Sequence, residues 1–164
     1  MTQDADQQAK NRPQFDHLPY PNVPLEQKPG NHPAYLAPHS CVIPYYLRDR
    51  RVIDPAGKWI LDAGCGSGFK AMALAAANPG AHIVGIDISP KSIELAQQRV
   101  EYHGIRNPIE FYCLPVEALP SLPYTFDYIN CDETLYLLPD PLAGLTTLRT
   151  VDCVVSALLF AIFF

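Results

Sequence analysis

Basic side chains are scarce in this chain. The 12 Lys and Arg stand against 17 Asp and Glu, for a net charge of −5. No block of Lys or Arg offers a groove for nucleic acid. The one cluster, Arg48, Arg50 and Arg51, is interrupted by Asp49 and reads as a solvated helix face. The 5 Cys form no C-x-x-C pair and the 5 His fall at no metal-ligand spacing. Neither a disulfide framework nor a metal site is therefore expected, and the scattered thiols point to a reducing, cytoplasmic setting. The N-terminal residues lack the apolar core of a signal peptide. The apolar stretch from Cys153 to Phe164 has about 12 residues, where a bilayer span needs about 20. What is there suits one globular domain: 164 residues, 48% of them hydrophobic, enough to bury a core.

Proline is unevenly spread. Of the 17 prolines, 9 precede Gly57. At that density long helices and central strands are excluded. Residues 1–57 read as an arm laid over a domain, with 1–12 polar and expected to be disordered. A short helix is expected around Val42 to Arg51, with Pro44 in its first turn. The simpler role for the arm is to cover apolar surface.

The rest is organised around Trp59-Ile-Leu-Asp-Ala-Gly-Cys-Gly-Ser-Gly-Phe69. A short strand, Trp59 to Leu61, breaks into alternating glycines, Gly64, Gly66 and Gly68, and a helix follows from Phe69 to Ala77. That order is the first βα unit of a nucleotide-binding α/β domain. Asp62, at the mouth of the strand, would repel a pyrophosphate and attract a cationic ligand. The second strand, Ala81 to Asp87, is a nearly continuous apolar run, as buried parallel strands require. Asp87 ends it about 20 residues past the glycines, where a carboxylate meets ribose hydroxyls. Ser89-Pro90 is an N-cap and first-turn pair that starts a helix ended by Gly104. On it Ile93, Ala96, Gln97 and Val100 share a face, and Lys91, Glu94, Gln98, Arg99 and Glu101 supply polar surface. Ile109 to Cys113 reads as the third strand and Phe126 to Cys131 as the fourth. Asp140-Pro141 then starts a helix to about Val151.

Asp62-Ala-Gly-Cys-Gly-Ser-Gly68 resembles motif I, D/E-x-G-x-G-x-G, of the class I S-adenosylmethionine (SAM)-dependent methyltransferases. Phe126-Asp127 and Leu135-Tyr-Leu-Leu-Pro-Asp-Pro141 resemble that family's next block. The resemblance covers roughly residues 58–151 and implies a Rossmann-like, doubly wound, mostly parallel α/β sheet of strand order 3-2-1-4. It implies SAM as cofactor and methyl transfer to an acceptor. Asp62 and the turn Gly64, Cys65, Gly66 and Gly68 would hold the methionine part, Asp87 the ribose, and Ile88 and Val116 the adenine. Cys131, with Asn130, Asp132, Glu133 and Tyr136, would border the methionine end or the substrate. Where the family has an Asp for the adenine amino group this chain has Pro115. Glu117 is not assigned to that contact. The resemblance also keeps open a lid role for the arm, its tyrosines lining the pocket.

No general base stands out, and neither the acceptor nor a catalytic residue is assigned. From Asp152 no turn is visible, and the family's fifth to seventh strands are expected to be absent. The apolar residues 152–164 would either fill the fifth-strand slot or be unrelated appended sequence, the second being the favoured reading. Two other functions compete. Gly66-x-Gly68-x-x-Ala71 fits G-x-G-x-x-A of NAD(P)-binding oxidoreductase domains, although no catalytic Tyr-Lys pair accompanies it. A truncated, non-catalytic SAM-binding remnant is the third possibility. A phosphate-binding P-loop is excluded because Phe69-Lys70 replaces the required Gly-Lys-[Ser/Thr].

Overall fold

The computed structural model describes residues 13–159, the side chains of 152–159 excepted. The disorder expected for 1–12 and the end of the apolar tail lie outside the described residues. Among those described, five strands form one sheet: β1 (Trp59–Ala63), β2 (His82–Asp87), β3 (Ile109–Cys113), β4 (Phe126–Asn130) and β5 (Asp152–Leu159). Their order is β3-β2-β1-β4-β5, and every pair is parallel. The expected order 3-2-1-4 is therefore present. The fifth-strand slot is filled as well, by residues 152–159, which corrects the expectation that the fifth strand is absent. Strand β5 pairs with β4 from Phe126↔Asp152 to Asn130↔Leu159, with a register shift between Phe126 and Tyr128. No turn was visible in the sequence because Val151, the C-cap of the preceding helix, passes straight into the strand.

The sheet is buried on both faces because its strands are apolar at consecutive positions. Ile60, Ile83 and Tyr128 face one cluster, while Leu61, Val84 and Ile129 face the other. The period-two alternation of side chains produces this division. On the first face lies α2 (Phe69–Ala77), preceded in the chain by α1 (Val42–Asp49). Ala71, Leu74 and Ala75 of α2 pack there, and their small size lets the helix lie close to the sheet. The second face carries α4 (Pro141–Thr150), through Leu148, and a 3₁₀ segment, Val116–Ser121, through Val116 and Leu119.

Helix α3 (Pro90–Tyr102) starts as expected, Ser89 accepting from the Ser92 N–H. Asp140 caps α4 by accepting from Leu142 and Ala143. One face of α3 differs from expectation. Arg99 is fully buried, whereas Gln97 is exposed. Arg99 is buried because its guanidinium finds backbone carbonyls rather than water. Nε donates to Ser67 O at 3.0 Å, Nη1 to Pro24 O at 2.8 Å and Nη2 to Val23 O at 2.9 Å. A lone helix pattern could not show those acceptors, which belong to the arm and the glycine turn.

Candidate functional site

The parallel topology brings the C-terminal tips of the strands to one edge, where α/β sheets bind ligands. A cleft of about 820 Å³, open solvent included, lies there. The glycine turn forms its floor. The Gly64 and Cys65 N–H groups both donate to Ile86 O, at 2.8 and 2.9 Å, pinning the turn to β2. Gly64 and Gly66 have φ of 79° and 51°, a region that disfavours side chains. Space also demands glycine. A Cβ on Gly64 would lie 1.9 Å from Thr134 Oγ1, and one on Gly66 2.0 Å from Tyr20 O.

Asp87 joins the turn to the tip of β2. Its Oδ2 accepts from Gly66 N–H at 3.0 Å and its Oδ1 from Ser89 N–H at 2.9 Å. Burial pushes this carboxyl up from the usual range, and the Ser89, Gly66 and Ile88 N–H groups oppose the shift. Gly64, Cys65, Gly66, Asp87, Ile88 and Val116, all singled out from the sequence, line the cleft.

Asp62, Gly68 and Cys131 do not line it. Strand β1 runs on to Ala63, so Asp62 sits inside the strand rather than at its mouth, paired in register with Gly85 and Asn130. It is 1% exposed; Oδ1 accepts from Asn130 Nδ2 at 2.8 Å, and Oδ2 is buried without a partner among the described residues. Burial pushes its carboxyl up to about 6, opposed by the Asn130 hydrogen bond. Gly68 caps α2 against α3, where an added Cβ would meet Ala96 at 2.8 Å. Cys131 lies in the apolar core, its thiol pushed up to about 12 by burial. Tyr136, expected near the substrate, is 66% exposed and outside the lining.

Several lining residues escaped the sequence reading. Lys70, in the first turn of α2, pairs with Asp132 Oδ2 and lies 3.9 Å from Glu133 Oε2. Glu133 holds φ at 57°, a conformation uncommon for a residue with a side chain, in the loop after β4. Asp132 and Glu133 were named from the sequence, but their shared lysine was not. It belongs to a distant helix and carries no motif signal. Phe15, Tyr20 and Pro21 bring the arm into the same cleft. Ser67 donates through N–H to Tyr20 O and through Oγ to Pro21 O, both at 2.8 Å. Tyr20 OH donates to Glu133 Oε2 at 2.8 Å, so the arm reaches both the glycine turn and the loop after β4. The Glu133 contact, more than burial, raises the Tyr20 hydroxyl above its ordinary value.

A family model described as "Methyltransferase domain" matches residues 55–159. The chain belongs to this methyltransferase domain family. Its match runs through β5, in keeping with that strand's place in the sheet. A protein of Synechococcus, itself uncharacterized, is 36% identical over 136 residues, covering 83% of this chain and 32% of its own. The ubiquinone biosynthesis O-methyltransferase of Chromobacterium violaceum is 41% identical over 87 residues, covering 52% of this chain and 36% of its own. The chain thus spans about a third of the length of these two relatives. In solved structures, magnesium protoporphyrin IX methyltransferase from Synechocystis with bound SAM shares the fold. It has a TM-score of 0.62 at 21% identity, over 90% of this chain and 72% of that one.

Proposed function

We propose that this methyltransferase domain binds SAM and serves methyl transfer from it to an oxygen nucleophile of a separate acceptor. The observation that carries the reading is the cleft itself, where a glycine turn held by Asp87 meets an acid-rich lining. Asp87, Glu117, Asp132 and Glu133 line it, and Lys70 is the single basic side chain among the described lining residues. Such a lining favours a cationic ligand and disfavours a pyrophosphate, which speaks for SAM over NAD. The residues fit the cofactor, since the two glycines leave no Cβ over the floor and Asp132 Oδ1 is a buried acceptor without a partner among the described residues. Bound there, SAM supplies an activated methyl group that the acceptor displaces directly.

In this reading Asp87 accepts from the ribose hydroxyls. Ile88 and Val116 flank the adenine, and Gly64, Cys65 and Gly66 form the floor beneath the cofactor. Asp62 and Gly68 act through the turn: Asp62 as a buried negative charge two residues before Gly64, Gly68 as the cap of α2. The arm acts as a lid. Its contacts with Ser67 and Glu133 support that role, and the relatives' printed names support oxygen as the acceptor atom. The buried thiols Cys41, Cys65 and Cys131 suit a reducing cytoplasm. Among the described residues no helix is long and apolar enough to cross a membrane.

Calorimetric titration of the chain with SAM, with NAD as the contrasting ligand, tests this. SAM binds, NAD does not, and Asp87→Ala weakens SAM by about tenfold or more, the loss of a charge-assisted contact. Binding of NAD in place of SAM overturns the reading.

A further inference from the structure

Strand β3 is an outer edge of the sheet, on the side away from β5. Natural sheets guard such edges with lysine, proline or bulges. Between Ile109 and Cys113 there is no Lys, Pro or Gly. The strand pairs with β2 in unbroken register, from Ile83↔Ile109 to Asp87↔Cys113. Its one charged side chain is engaged within the chain. Glu110 Oε2 accepts from Tyr112 OH at 2.6 Å and from Tyr124 OH at 3.1 Å.

The ladder fixes which backbone groups face outward. Ile83 N–H donates to Pro108 O and Leu114 N–H to Asp87 O, both at 2.9 Å. In a parallel ladder alternate residues bond the same neighbour, so Glu110 and Tyr112 also turn their backbone groups to β2. Phe111, at the middle of the strand, turns its N–H and C=O away from the sheet. The side chains alternate as well. Ile109 and Phe111 pack toward the first face, Tyr112 toward the second with Tyr124 and Trp59. There Trp59 stacks on Tyr124 at 4.9 Å and on His82 at 4.7 Å. Trp59, Tyr112 and Tyr124 are all partly exposed, and aromatic residues of these types are enriched at interfaces.

This edge is complementary to itself. A two-fold axis through Phe111 lays an antiparallel copy of β3 alongside the first. Phe111 then faces the second copy's Phe111 as a hydrogen-bonded pair. Glu110 faces the second copy's Tyr112, and Tyr112 its Glu110, at non-hydrogen-bonded positions, where side chains lie closer. Acceptor meets donor at both positions. Among the described residues Glu110 Oε1 accepts no hydrogen bond. The facing Tyr112 hydroxyl donates to it while Tyr124 keeps Oε2.

We infer that the chain forms a two-fold dimer through β3, a second copy continuing the sheet in antiparallel register centred on Phe111. Sedimentation velocity over a dilution series measures the association, and amide hydrogen exchange reads the pairing. The chain sediments as a dimer that dissociates on dilution. The Phe111 amide is protected in the dimer and loses that protection as the dimer dissociates, a result that needs no variant. Tyr112→Glu sets like charges opposite each other at both symmetric positions and weakens the dimer by about tenfold or more. Adding Glu110→Lys to Tyr112→Glu restores opposite charges and recovers the dimer, which loss of the Tyr112 ring alone would not allow. A chain that is monomeric at every concentration, a dimer with an unprotected Phe111 amide, or a dimer indifferent to Tyr112→Glu overturns the proposal.

Discussion

Asp62 is a buried acid with one satisfied oxygen and one orphan. Its carboxyl sits at about 6 in the folded chain, raised by burial, against about 3.9 unfolded. A raised carboxyl pKa means that the folded state holds the proton more readily. The stability it brings is full below the unfolded value and is lost as pH rises through about 6. The loss is on the order of 3 kcal/mol. Asp87, also raised by burial, acts in the same direction. Denaturant unfolding without ligand therefore gives a more stable wild type at pH 5 than at pH 7.5. Asp62→Asn removes the charge and keeps an acceptor for Asn130. It flattens this dependence and is more stable than the wild type at pH 7.5 by about 1–2 kcal/mol. A wild-type stability that climbs from pH 5 to 7.5 contradicts this account. The identity and spacing of Asp62 and Asp87 were legible in the sequence. The depth of Asp62 was not, because the strand runs on through Asp62 to Ala63 and only the register with β2 and β4 shows that pairing.

Helix α3 makes the same point for an element. Its start was legible because Ser89 and Pro90 act locally, through a cap and a fixed φ. Arg99 was counted as surface because a guanidinium without a nearby acid is ordinarily solvated. Instead it ties three segments together: α3, the glycine turn through Ser67 O, and the arm through Val23 and Pro24. His103 adds a contact from its Nε2 to Leu25 O at 2.7 Å. Arg99→Met leaves the three carbonyls short of a donor and destabilises the chain by about 2–4 kcal/mol. The arm should also detach. Limited proteolysis is expected to cut residues 20–27 faster in Arg99→Met than in the wild type under native conditions. Equal cleavage rates would mean that the arm's other contacts, with Ser67, Glu133 and His103, hold it without Arg99. Arg99→Lys rescues only in part, since an ammonium cannot reproduce the planar fork.

For the molecule as a whole the deciding element is β5. Strand β4 is apolar, with Phe126, Tyr128 and Ile129 fully buried, and β5 is its outer neighbour. A variant ending at Val151 would turn β4 into an unpaired apolar edge, a template for intermolecular pairing. Light scattering after size exclusion should show that variant as aggregated and the full chain as a discrete species. A discrete truncated species would mean that the first four strands are self-sufficient. The same residues mark where local reading failed. A run rich in Val, Leu and Phe fits a buried strand, a buried helix or an appended tail equally well. Only pairing with β4 decides among them.

Short-range stereochemistry is what the sequence determined by itself. Glycines at alternate positions, Ser-Pro and Asp-Pro helix starts and apolar strand runs each act within a few residues. They were enough for the first four strands, the glycine turn and Asp87 at its edge, while the 3-2-1-4 order was what the family resemblance implied. Tertiary structure alone decided what depends on contacts across the chain. It sank Asp62 into the sheet, turned Cys131 into the core, laid the arm on Ser67 and Glu133, and set Lys70 against Asp132. Those pairings join residues far apart in sequence, so no local pattern encodes them. They form only because closing the parallel sheet brings the strand tips and the starts of the helices to one edge.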